Sequence, residues 1–134
     1  MKIRFLLVAL GAVLWWPCAA LADPCEAPLP KSGTFFSGQV RYVGDGDSLC
    51  VGLTTNPTEW VEVRLADFYA PELSEPGGEA AKRTLTQLVR SRTLQCLAGR
   101  RSYDRVVARC TLEGADVGDL MRAAGVREGG RGAR

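Results

Sequence analysis

Three consecutive stretches of this chain alternate apolar and polar residues with a period of two. Phe36, Gly38, Val40 and Tyr42 alternate with Ser37, Gln39 and Arg41; Leu49, Val51 and Leu53 form a second set; Val61, Val63 and Leu65 alternate with Glu62 and Arg64. Successive side chains on a pleated strand point to opposite faces, so each stretch reads as a half-buried β-strand. Gly44-Asp45-Gly46-Asp47 supplies a turn between the first two, and Thr54-Thr55-Asn56-Pro57-Thr58 between the second and third. The chain therefore opens as a three-stranded meander. Pro71 ends the third strand, because proline lacks the ladder N–H and drives Ala70 into an extended or turn conformation. Arg64 near the rim and Glu72 just past the bend are thereby able to face one solvent-exposed pocket.

A different periodicity follows. Gly77-Gly78 leads into a helix starting near Glu79, with Ala81, Leu85 and Leu88, and beside them Thr84 and Val89, forming the apolar stripe. Lys82, Arg83, Gln87 and Arg90 lie outside it, and Arg90 and Arg92 suit the negative end of the helix dipole. A hairpin is predicted next, with strands over 93–97 and 106–112 and a turn through 98–104. Asp116 is expected to cap a short helix that turns Val117, Leu120, Met121 and Ala124 inward and stops at Gly125. The tail, 127–134, has nothing to bury and is expected to be disordered. Three strands, a helix, two strands and a helix is the order of a mainly β OB-fold, a five-stranded barrel with a helix plugging one end; a sandwich carrying two helices is the alternative.

The N-terminus belongs to none of this. Lys2 and Arg4 precede an apolar run over 5–16, and Ala20-Leu21-Ala22 offers the small residues that signal peptidase reads before Asp23. Residues 1–22 thus read as a cleavable secretory signal too short to span a bilayer, an uncleaved anchor being the alternative. Residues 23–35, with Pro24, Pro28 and Pro30, form an extended arm, and 36–126 a single domain. The chain carries 17 Lys+Arg against 15 Asp+Glu. The signal removes two of those cations, so bulk charge gives no ground for nucleic-acid binding. Arg100, Arg101, Arg105 and Arg109 are clustered, and a solvated hairpin face is the plain reading of that run.

Cys18 leaves with the signal, and Cys25, Cys50, Cys96 and Cys110 remain. With no Cys-x-x-Cys spacing and no histidine, an even cysteine count in an exported chain points to two disulfides rather than a zinc site. Of the three connectivities, Cys96–Cys110 flanks the hairpin and Cys25–Cys50 ties the arm to a strand, which makes this the favoured pairing.

The motifs narrow the reading further. Val43-Gly44-Asp45-Gly46-Asp47-Ser48, Val63-Arg64-Leu65-Ala66 through Ala70-Pro71-Glu72, Gly78-Glu79-Ala80-Ala81, and Tyr103-Asp104-Arg105-Val106-Val107-Ala108 occur in that order. From about Gln39 to Gly125 the chain resembles the staphylococcal nuclease-like (thermonuclease) family, as an exported, C-terminally shortened member. The resemblance implies an OB barrel and a calcium-dependent phosphodiesterase that cuts DNA and RNA by attack of water on phosphorus. Such chemistry needs a hard cation, a positioned water and fixed positive charge where negative charge develops. By resemblance Asp47 is a metal ligand, Arg64 and Arg105 clamp the phosphate and stabilise the transition state, and Glu72 orients or deprotonates the water. Tyr103 covers the phosphate or stacks on a base, or else packs on its own hairpin. Each has a plainer reading: Asp47 and Glu72 as turn acids, Arg64 as a partner of Glu62, Arg105 as one more cation of the hairpin.

Two departures from the family pattern bear on activity. Tyr69 stands where a second acidic ligand is expected, and Ala70 where a threonine is common. A neutral phenol is a poor ligand for a hard cation. The backbone carbonyl of Ala70 and, after a local shift, Asp67 are the substitute ligands. The family's further helix beyond the Gly125 position is replaced here by the arginine- and glycine-rich tail. The expected protein is a secreted or periplasmic monomer hydrolysing DNA and/or RNA with Ca2+. A non-catalytic nucleic-acid-binding or structural module is the alternative.

Overall fold

The computed structural model describes residues 23–129; the signal assigned to 1–22 and the last five residues of the expected disordered tail lie outside them. The elements are β1 (Phe35–Val43), β2 (Ser48–Gly52), β3 (Val61–Leu65), α1 (Gly78–Val89), β4 (Thr93–Ser102), β5 (Arg105–Leu112), β6 (Ala115–Asp116) and α2 (Val117–Ala123), with a short 3-10 turn at Pro57–Glu59. The protein is thus mainly β with two short helices. One sheet runs in the order β3-β2-β1-β4-β5-β6, and β3 also pairs with β5. That last pairing, parallel and joining Val63, Arg64 and Leu65 to Val106, Val107 and Ala108, closes five of the strands into a ring. Closure brings the strand bearing Arg64 beside the strand bearing Arg105. Inside the ring Val40, Leu49, Val51, Val63, Leu65, Leu94, Val106 and Ala108 form the core. Phe68 and the buried stripe of α1, Ala81, Leu85 and Val89, join it, as do Val117 and Met121 of α2.

Two β-bulges break the period-two pattern. In β1 the register shifts between Val40 and Tyr42, so Val43 becomes buried while Tyr42 is only half-buried, the reverse of their expected faces. In β4 a shift between Ala98 and Arg101 carries the strand on to Ser102, where the sequence suggested a loop over 98–104. Gly99 sits in that bulge, where a Cβ would lie 2.7 Å from the Val107 carbonyl oxygen. The hairpin turns on Tyr103, held at φ 58°.

Disulfides join Cys25 to Cys50 and Cys96 to Cys110, the favoured pairing. The first draws the N-terminal arm across β2 and β3, where Glu26 and Ala27 donate backbone N–H groups to the carbonyls of Pro57 and Trp60. All five residues of β2 are buried. Two covalent cross-links of this kind belong to an oxidising, non-cytoplasmic compartment. No helix among the described residues is long and apolar enough to cross a membrane.

Two local expectations need correction. Asp116 does not cap α2; its carboxylate pairs with Arg109 at 2.9 Å. The cap comes from far away in sequence, as Asp67 Oδ2 accepts the Gly118 N–H at 3.2 Å. Residues 127–129 are not a free tail: Glu128 and Gly129 both hydrogen-bond to the backbone of Tyr69.

Candidate functional site

Asp47 and Arg64 come together at the end of the ring where β2 begins and β3 finishes. Ser48 and Arg64 are register partners, so the residue before Ser48 lies beside the arginine. The Asp47 carboxylate is 5 % exposed, accepts the Ala70 N–H at 2.9 Å and lies 4.0 Å from an Arg64 guanidinium nitrogen. The turn holding it is built by Asp45, whose Oδ1 accepts from the Asp47 N–H and the Ser48 hydroxyl. Gly46 permits close approach to α1 and the bend, for a Cβ there would fall 2.6 Å from that of Ala81 and 2.5 Å from that of Ala70. Burial, then the charge of Asp45, pushes the Asp47 carboxyl up to about 7, against the Ala70 N–H and Arg64, which favour its charged form. Burial acts on Asp45 in the same direction, but its hydrogen bonds outweigh it and hold that carboxyl below its ordinary value.

Arg64 has a second support. Its guanidinium lies over the Tyr69 ring, 5.6 Å from the centroid. The tyrosine in the expected aspartate position therefore braces the arginine from below.

Arg105 occupies the neighbouring strand, close to a residue the sequence reading left outside the site. Glu62, expected to point into solvent, is 7 % exposed. Its carboxyl is pushed up to about 7, first by burial and then by the facing Asp23 carboxylate and the charge of Asp104, while Arg105 pulls the other way. Asp23 also lies against Tyr42, whose phenol is raised by burial and by that carboxylate. Nothing local marks Glu62, since its cover is the disulfide-anchored arm.

The other expected site residues make no contact with Asp47 or Arg64 among the hydrogen bonds and ion pairs of the described residues. Glu72 is exposed in the turn before α1, and its carboxylate makes no hydrogen bond or ion pair among the described residues. Asp67 faces α2, with Oδ2 on the Gly118 N–H and Oδ1 buried without a partner, so it is no substitute ligand beside Asp47. Tyr103 is 96 % exposed at the hairpin tip, which excludes packing on the hairpin and leaves its ring free to stack.

Calcium takes about 6–8 oxygen ligands. Asp47 offers one carboxylate, already engaged by Ala70 and Arg64, and among the described residues no three acidic, cysteine or histidine side chains converge on a metal position. What the patch presents is two arginines on adjacent strands beside two buried carboxyls.

Compared with models of known families and with curated proteins, the chain matches none.

Proposed function

We propose that the protein is an exported, staphylococcal nuclease-like OB barrel that grips backbone phosphates of DNA and/or RNA and hydrolyses the phosphodiester with a divalent cation, its metal site weakened by the loss of one acidic ligand, working in the periplasm or outside the cell. The observation that carries this reading is Arg64, backed by Tyr69 and flanked by Asp47, on a strand paired with the one that bears Arg105. A planar guanidinium grips two phosphate oxygens at once, and a second beside it stabilises charge that builds up during displacement. Glu72, exposed in the turn before α1, supplies the carboxylate for the attacking water. The ring closed through a parallel β3–β5 pair supports the OB assignment, and the two disulfides support export.

A second reading, binding without turnover, is favoured by Tyr69 standing in the expected acidic-ligand position and by a Glu72 carboxylate that makes no hydrogen bond or ion pair among the described residues. Phosphate contacts carry no base information, so either reading accommodates DNA and RNA. Hydrolysis of single-stranded DNA by the oxidised protein, with calcium, with magnesium and with chelator, separates them. The nuclease reading expects turnover above an Arg105→Ala control in at least one condition. Salt-sensitive binding with no turnover in any of them leaves the binding module.

A further inference from the structure

The bend that carries Tyr69 is gripped from the far end of the chain. Glu128 Oε1 accepts the Tyr69 N–H at 3.0 Å, and the Gly129 N–H donates to the Tyr69 carbonyl at 2.9 Å. Both backbone polar groups of this one residue are thus taken by residues about sixty positions away. Arg122 of α2 steadies the arrangement: one guanidinium nitrogen donates to the Asp67 carbonyl at 2.8 Å and lies 3.4 Å from Glu128 Oε1, and the other meets Asp119 at 2.7 Å. The same guanidinium lies 5.8 Å from the Phe68 ring centroid. Gly129 also sits against Pro71, where a Cβ would come 3.2 Å from the proline ring. Residues 67, 68, 69 and 71 are therefore all held by the α2 and C-terminal side.

We infer that Tyr69 is a positioning residue for Arg64 and that residues 126–129 are the strap that sets it, an inference resting on the reading of Arg64 as a phosphate clamp. A guanidinium fork binds an anion well only when its plane is fixed. The Tyr69 ring sets that plane from below and Asp47 fixes the group from one side. The ring can do so only while its own backbone is pinned, and the strap does the pinning. The residue that costs the site an acidic ligand thus has a use of its own.

The test uses full-length oxidised protein and a single-stranded DNA oligonucleotide in chelator, so binding is read without turnover. Two quantities are followed: oligonucleotide affinity, and the ring-current shift of the Arg64 side-chain protons by NMR. Glu128→Ala should abolish that shift and weaken binding about two- to fivefold, the range for an exposed cation–π contact. Glu128→Gln, which keeps the acceptor, should restore both; Tyr69→Phe should resemble the native protein and Tyr69→Leu should resemble Glu128→Ala. Should Glu128→Ala fail to fold, Glu128→Asp, one methylene short, asks the same question. An unchanged Arg64 shift in Glu128→Ala, or in Glu128→Asp where it stands in, overturns the strap, and a lost shift with unchanged affinity overturns its role in binding. If the native protein binds no oligonucleotide, the phosphate-clamp reading fails instead, and the NMR comparison still decides whether the strap positions Arg64.

Discussion

Replacing Glu62 with glutamine probes the buried acid beside Arg105. Folded, this carboxyl is 7 % exposed and pushed up to about 7, chiefly by burial and by Asp23. In an unfolded chain a glutamate titrates near about 4.3. The folded protein therefore holds the Glu62 proton more tightly than the unfolded chain does. Its contribution to stability is fully present below about pH 4 and is lost as pH rises through about 7. A gap of between two and three pH units, at about 1.4 kcal/mol each, withdraws about 3 kcal/mol by pH 8. Glutamine has nearly the same shape and does not ionise. Urea unfolding of the oxidised proteins should give stabilities within about 1 kcal/mol of each other at pH 4, with the variant ahead by up to about 3 kcal/mol at pH 8. Asp47, also raised to about 7, titrates over the same range in both proteins and cancels in the difference. A gap that does not widen with pH refutes the buried, proton-holding Glu62. A variant that is less stable at pH 8 shows instead that Arg105 holds the charged carboxylate in a net favourable pair.

Two further perturbations bear on the frame around the site. Replacing Cys96 and Cys110 together by alanine opens a loop with a sequence separation of 14 and should cost about 3 kcal/mol on the chain-entropy model, read as a lower urea midpoint; an unchanged midpoint would mean that the hairpin is equally constrained when unfolded. Gly46→Ala forces a methyl to within 2.5–2.6 Å of the Ala70 and Ala81 methyls, and overpacking of this kind should cost about 1–3 kcal/mol while weakening oligonucleotide binding through displacement of Asp47 and Arg64. Native-like stability and binding in that variant would show that the turn can move without disturbing the site.

The order of the five longer strands and two helices, the meander and the two disulfides were legible in the sequence because each leaves a local mark; the two-residue β6 leaves none. Alternation shows a half-buried strand, the Ala81–Leu85–Leu88 spacing shows a helix face, and cysteines flanking a hairpin show a cross-link. Asp47 and Arg64 were singled out by the resemblance alone, and their closeness follows from the β2–β3 register. Bulges were not legible, because one extra residue at Arg41 or Gly99 is decided by how β1 and β4 bend around the ring rather than by their own residues. Nor were the fates of individual acids. Asp67 turns to α2 because an unsatisfied helix N-terminus lies there, and Glu62 is buried because a disulfide draws Asp23 and the arm over it. Tyr69 reads in the sequence as a lost ligand; in the fold it is a support for Arg64, held by Glu128 and Gly129. Periodicity reports which face of an element is apolar. Which distant residue meets a polar one is set by closure of the sheet and by the paths of the arm and C-terminal segment, and only the tertiary structure decided that.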